Sequence, residues 1–290
     1  MKRSGQLRLP GDPMKKLCIF LLLTSLLMAP VSALEDTAVA GTGTDAFYGN
    51  ESISALSGET GIGGLCADAA RTTSGADIAL LNSGDIGGNL VGGEITYGDC
   101  KRIFNEDRTL AVITVSPARL KDILEVGVSH IVMNEEEMID REVSAWGGFP
   151  QISGFEFSYD VAALAGSRVH EITMDGVVLD LTDSTTQITL CATEYMLSGG
   201  WGYGEAGGGE PVGCTLSEAL FRHIRREGTV TPPTSLDRIR SRGSKDGSIW
   251  DSLKVTPLLL VIALLIYGGG RTWHYDKYQE LEHEPRERKY

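Results

Sequence analysis

The stretch "LLNSGDIGGNL", residues 80–90, sets an amide and a carboxylate, Asn82 and Asp85, in a glycine-rich turn directly after an apolar run. Glycine lets backbone approach a ligand closely, because no Cβ stands in the way. The turn lacks a cation: at Gly87, where a basic side chain would serve an anionic ligand, there is only hydrogen. No other spacing in the chain carries hydrolytic chemistry. No G-K-S/T follows a glycine cluster, so there is no lysine-tipped phosphate cradle. There is no G-x-S-x-G nucleophile turn. A binuclear metal centre needs several Asp and His ligands, because two cations ~3.5–4 Å apart must be bridged and neutralised. The five histidines (His130, His170, His223, His274 and His283) stand in no D-x-H, H-E-x-x-H or G-N-H context. Gly41-Thr42-Gly43 follows no strand pattern, which removes it as a dinucleotide loop. The run Glu135-Glu136-Glu137 reads as a solvated face. No cofactor or metal is implied.

These residues must be positioned by a chain of 290 residues with 42% hydrophobic and 22% charged content, a globular composition. Net charge is −13, and removing residues 1–33, with five of the basic residues and one acidic one, leaves −17. Such a surface repels polyanions, so nucleic acid is not an expected partner. Residues 1–33 have the order of a secretory leader: Lys15-Lys16, a short apolar core, then Val31-Ser32-Ala33. Met1 and Met14 are both possible starts, and a buried N-terminal helix is the alternative. The apolar stretch 253–270 lies between Trp250 on one side and Trp273 and Tyr275 on the other, as at the two faces of a bilayer. It is expected to be a transmembrane helix, with an amphitropic or buried helix as the alternative. The expectation is a type I single-pass protein of the cell surface, with residues 271–290 as a cytoplasmic tail. Secretion permits disulfides among Cys66, Cys100, Cys191 and Cys214, with three possible pairings. Cys191 with Cys214 would close a loop around the glycine-rich segment, though Cys66 and Cys191 also suit buried thiols. Asn50-Glu51-Ser52 is a glycosylation sequon.

Residues 34–52, polar with Gly and Thr, read as a flexible arm. A helix is expected over 59–71 and a buried strand over 78–81. "TLAVITV", 109–115, is a strand by β-branching, and Ser116-Pro117 opens a helix carrying Leu120, Ile123, Leu124 and Val128 at helical spacing. Phe155, Phe157 and Tyr159 alternate as on a half-buried strand. A hairpin turns at Asp175-Gly176 between 169–174 and 177–181. A strand follows at 188–193, then a long glycine-rich loop over 198–213 and an amphipathic helix over 216–226. Residues 229–251, rich in Pro, Ser, Arg and Gly, read as the approach to the membrane. Hairpins and helices without strict βαβ alternation predict an α+β fold, a mixed sheet with packed helices.

Five blocks then occur in order: "GGLCADAARTTSGADIALLNSGDIGGNLVGGEITYGDC", "TLAVITVSPARLKDILEVGVS", "GGFPQISGFEFSYD", "GSRVHEITMDGVVLD" and "TEYMLSGGWGYG". Together they resemble the C-terminal domain of the 5′-nucleotidase family, over residues 53–240, with 241–252 as a linker. The resemblance implies a domain that grips the base and sugar of a nucleotide, while a separate N-terminal metallophosphatase domain does the chemistry. The leader directly before the domain reads as the start of a secreted protein rather than of a truncated one.

Carried over residue by residue, the resemblance keeps Asn82 from an Asn-Gly-Gly-Gly-Ile-Arg-like loop and replaces its Arg by Gly87. A base-stacking Phe aligns with Glu106, and Phe104, two residues away, could substitute only if the loop shifts. The second stacking aromatic aligns with Tyr195, and a sugar-binding Asp with Trp201. The bland alternatives are a turn-forming Asn82, a packed Tyr195 and an exposed Trp201. An Arg–phosphate pair is strong, and each base–aromatic stack is worth ~1–3 kcal/mol. The expected ligand is therefore a weakly held nucleotide, nucleoside or nucleotide-sugar at Asn82, Phe104, Tyr195 and Trp201. The leading expectation is a non-catalytic binding or interaction module. The rival is a recognition component working with a separate metallophosphatase or another protein partner.

Overall fold

The computed structural model describes residues 35–48, 54–204 and 208–243. The leader, the Asn50 sequon, the 253–270 stretch and the tail lie outside these residues. Among the described residues no helix is long and apolar enough to cross a membrane.

The chain runs through β1 (Val39–Gly43), α1 (Ser54–Ser57), α2 (Gly61–Ser74), β2 (Ile78–Asn82), β3 (Gly93–Thr96), α3 (Tyr97–Arg102), β4 (Thr109–Val115) and α4 (Pro117–Gly127). A run of strands follows: β5 (Pro150–Ser153), β6 (Glu156–Asp160), β7 (Val169–Met174), β8 (Val177–Val178) and β9 (Ile188–Thr193). Then come α5 (Glu194–Leu197), β10 (Glu210–Thr215), α6 (Leu216–Glu227), β11 (Thr229–Val230) and β12 (Ile239–Arg242). The architecture is α+β, as expected.

A five-stranded sheet, order β10-β4-β9-β2-β5, forms the centre. β2 and β9 are parallel; the other neighbours are antiparallel. Both of its faces are covered, which is why β2 reads as an uninterrupted apolar run. Side chains alternate along a strand. Ala79 and Leu81 thus face one core with Leu65 of α2 and Leu220 and Ile224 of α6. Ile78 and Leu80 face a second core with Leu120 and Leu124 of α4 and Phe157 and Ile172 of β6 and β7. A four-stranded sheet, β12-β6-β7-β8, closes that second core, and a three-stranded sheet, β11-β1-β3, flanks the first.

Local chemistry sets the helix ends. The Ser116 hydroxyl accepts from Arg119 N, and Pro117 occupies the first turn of α4. Thr215 and Glu218 form a capping box at α6. α2 starts at Thr60, whose hydroxyl accepts from Gly63 N, and stops at Gly75 in the left-handed region. Asp175 and Gly176 both have positive φ (51° and 76°), which fits the expected tight hairpin, although β8 is only two residues long.

Several segments differ from the sequence reading. Residues 34–52 are not wholly a loose arm: β1 pairs with β3 and β11, and Phe47 is 2% exposed. Gly41 is required there, since a Cβ would lie 2.5 Å from Gly228 O. The glycine-rich loop is shorter than expected, because β10 joins β4 from Glu210 on. The 229–251 stretch contributes β11 and β12, the latter parallel to β6. Arg238 anchors its approach with two 2.9 Å bonds to the Asp68 carboxylate on α2. Cys191 and Cys214 do not pair; both are buried thiols, as are Cys66 and Cys100. In the sheet β4 lies between β9 and β10. Two strand spacings come to roughly 9.5 Å, beyond the ~7 Å Cα reach of a disulfide.

Candidate functional site

β2 ends at Asn82, and a single 3-10 turn, Ser83–Asp85, follows. Neighbouring backbone clamps this turn. Ser83 N donates to Phe149 O (2.9 Å), Gly84 N to Gly147 O (2.7 Å), and Asn105 N to Asp85 O (2.9 Å). Gly87 N and Gly88 N both donate to Ile103 O. The loop is thereby drawn down onto residues 103–105. A Cβ at Gly87 would lie 2.1 Å from Asn105 Oδ1, and one at Gly88 would lie 2.5 Å from Arg102 O. A side chain at position 87 would have to displace the Asn105 amide.

The polar side chains of the turn are buried together. Asn82 is fully buried, and neither its Oδ1 nor its Nδ2 has a hydrogen-bond partner. Asp85 is 3% exposed, with Oδ2 also unpartnered. Arg108, at the start of β4, brings Nε to 3.6 Å from that oxygen, an ion-pair contact without a formed hydrogen bond. Its guanidinium carbon lies 4.0 Å from the centroid of the Tyr195 ring on α5, a cation–π stack. Burial raises the Asp85 carboxyl above its ordinary value. The nearby Asn82 amide and Arg108 pull it back, and Glu106 adds to the rise. The Asn82 amide is thus close enough to Asp85 to favour its carboxylate.

Trp201 packs against the same turn. A Cβ on Gly84 would come within 2.7 Å of its Cζ2, and one on Gly147 within 2.4 Å of its Cη2. The indole also meets Trp146 edge-on at 6.4 Å, and Trp146 stacks on His130 at 4.0 Å. Trp201 Nε1 is buried without a partner. The backbone of Trp201 is left-handed (φ 53°, ψ 26°), a conformation that disfavours a bulky side chain.

Of the four expected site residues, three neighbour the same turn: Asn82 beside Asp85, Tyr195 stacked on Arg108, which pairs with Asp85, and Trp201 against Gly84. Trp201 is half-buried, contrary to the expected exposure, because glycines at 84 and 147 give the indole a flat seat. Phe104 does not join them. It forms a bridge with Ile86 and is 8% exposed in the first core, where an apolar ring is removed from water. The sequence reading missed Arg108, which restores a cation near the turn. No local pattern marks an arginine just before a strand as facing a loop more than 20 residues earlier. Among the described residues no group of three or more His, Cys, Asp or Glu is placed to hold a metal ion.

The family model for the 5′-nucleotidase C-terminal domain matches residues 39–206, and the chain belongs to this family. Among curated proteins, the trifunctional nucleotide phosphoesterase protein YfkN of Bacillus subtilis is 28% identical over 206 residues, covering 66% of this chain and 13% of that protein. Among solved structures, a 5′-nucleotidase precursor from Thermus thermophilus superposes with a TM-score of 0.60 at 22% identity, over 79% of this chain and 42% of that one. A sulfate thiohydrolase from Thermus thermophilus matches with a TM-score of 0.54 at 16% identity, over 80% of this chain and 39% of that one. The chain therefore spans less than half the length of these structures and a small part of the curated relative.

Proposed function

We propose that this chain is a ligand-recognition module of the 5′-nucleotidase C-terminal type that binds its ligand without transforming it. It is held at the cell surface as a type I single-pass protein by the 253–270 stretch, behind a cleaved leader. The observation that carries the binding reading is the cluster of Asn82, Asp85, Arg108, Tyr195 and Trp201, in which five buried polar atoms lack partners. Unsatisfied buried groups are costly and rare in folded proteins, and a bound molecule removes the cost. The anchor and leader are supported by sequence hydropathy and aromatic flanks alone. A second reading, recognition on behalf of a separately supplied metallophosphatase, is favoured by one feature: Asn82 and Tyr195 remain together at one site.

The test is calorimetric titration of the full chain in detergent with adenosine, AMP and UDP-glucose, beside a phosphate-release assay with added divalent cations. Binding without phosphate release is expected. Release by this chain alone overturns the proposal, and release only when a metallophosphatase chain is added selects the second reading.

A further inference from the structure

A cavity of about 180 Å³ lies between the start of α2 and the 231–238 segment that leads into β12. Two glycines of α2 make the room. Gly61 and Gly64 stand one turn apart on the face that lines the cavity. Glycine in a helix is destabilising relative to alanine, so each needs a reason. Neither has positive φ. Close packing does not require them either. A Cβ at Gly61 would lie 3.5 Å from Pro233 Cδ, and one at Gly64 would lie 3.5 Å from Arg238 Nη1, both ordinary contacts. Gly63 differs, since a Cβ there would lie 2.1 Å from Gln151 Oε1. What Gly61 and Gly64 provide is open space. Pro233 and Leu236, on the facing wall, are exposed, which places the cavity at the surface.

The lining is of two kinds. Phe47, Leu65, Pro233 and Leu236 supply apolar wall, and Glu59, Asp68 and Arg238 supply charge. The Arg238 fork is already engaged. Its Nη1 and Nη2 donate to the Asp68 carboxylate, and Nη1 also donates to Ile152 O, each at 2.9 Å. Glu59 accepts from Ile239 N at 3.1 Å but has no cation within ion-pair distance among the described residues. Burial raises its carboxyl above the ordinary value. Arg238 and the backbone amides of Ile239 and Arg238 pull it back, and Asp237 adds to the rise. Three acids, Glu59, Asp68 and Asp237, thus gather around one base.

That balance selects the ligand. An anion would meet three carboxylates and an arginine already paired. A divalent metal needs several oxygen ligands, and among the described residues no group of three or more His, Cys, Asp or Glu is placed to hold one. An ammonium on a short apolar chain answers both parts of the lining. It supplies the charge that Glu59 lacks, and its chain lies against Phe47 and Leu65. The volume equals that of roughly six water molecules in the liquid, which suits a small amine. The net charge of −13 draws cations to the surface. We propose that this cavity binds a small primary amine in its cationic form, with Glu59 as the partner of the ammonium group, independently of the Asn82 cluster.

The test is calorimetric titration of the full chain in detergent, with detergent alone as the blank. The probes are n-butylammonium, n-butanol and butyrate. n-Butylammonium is expected to bind at least tenfold more tightly than the other two. Glu59→Gln keeps an acceptor for Ile239 N and should weaken n-butylammonium by about 10- to 100-fold, the cost of a charge-assisted bond. As pH falls from 7 to 4, Glu59 takes up a proton and n-butylammonium binding should weaken with it. Gly61→Leu places a side chain in the cavity and should abolish binding while the urea unfolding midpoint holds. If Gly61→Leu lowers that midpoint, Glu59→Gln alone decides. n-Butanol binding as tightly as n-butylammonium overturns the inference, as does unchanged affinity in Glu59→Gln. Absence of binding by every probe overturns it too. The recognition reading stands or falls by its own titration, since these probes carry neither base nor sugar.

Discussion

Replacing Gly147 with alanine tests whether the Trp201 indole is seated on the Asn82 turn. A Cβ on Gly147 meets three indole carbons, Cη2, Cζ2 and Cζ3, at 2.4, 2.5 and 2.8 Å, where ordinary contact is 3.4–4 Å. The ring must withdraw by about 1 Å, and overpacking of this kind costs about 1–3 kcal/mol. Gly147 is not among the glycines with positive φ, so its backbone accepts alanine once the ring is gone. Alanine then gains about 0.4–1 kcal/mol by restricting the unfolded chain. Gly147→Ala should therefore destabilise the wild-type domain by about 2 kcal/mol and leave the Trp201→Ala background unchanged or slightly improved. With a urea dependence of about 2 kcal/mol per molar, the unfolding midpoint falls by about 1 M in the first case and holds in the second. The assay is urea unfolding of all four proteins, followed by far-ultraviolet circular dichroism so that loss of the indole does not alter the signal. Equal losses in both backgrounds would refute the seating of the Trp201 indole against Gly147.

Three further outcomes are expected. Because burial raises the native Asp85 pKa, the native state holds this proton more tightly than the unfolded chain does. Stability therefore falls as pH rises from the unfolded value of 3.8 through the native one; Asp85→Asn should lose that slope and gain stability relative to wild type at neutral pH, read by thermal unfolding from pH 3 to 8. Gln151 is fully buried, accepting from Thr60 N (3.1 Å) and donating to Gly58 O (2.8 Å). Gln151→Leu strands both partners and should cost about 3 kcal/mol in urea unfolding; a loss under about 1 kcal/mol contradicts this accounting. Burial pushes Cys191 and Cys214 up to about 11 and Cys100 up to about 12, so iodoacetamide at pH 8 should label them only after denaturant is added. A non-reduced digest containing a Cys191–Cys214 peptide pair would contradict the strand order.

Much of the architecture was legible along the chain. β2, β4 and β9 carry apolar or β-branched runs because both faces of the central sheet are covered, and covered strands need little polar alternation. α4 and α6 announce themselves through a capping serine or threonine and helical spacing of Leu and Ile. Five ordered sequence blocks pointed to the family that the comparison confirms. β1, β10, β11 and β12 were not legible. Their sequences are short and rich in glycine, proline or polar residues, and their strand character comes from the partner across the sheet.

The candidate site divides in the same way. Asn82 and Tyr195 were named from sequence, since each stands within a recognisable block. The pairing of Asp85 with Arg108, the stacking of Arg108 on Tyr195 and the withdrawal of Phe104 into the core were decided by the fold. So was the position of Trp201, which depends on glycines 54 and 117 residues away in the chain. Periodicity and capping are local and survive in one dimension. Which charge meets which, and which ring packs against which turn, depend on contacts between distant segments that exist only once the sheets have assembled.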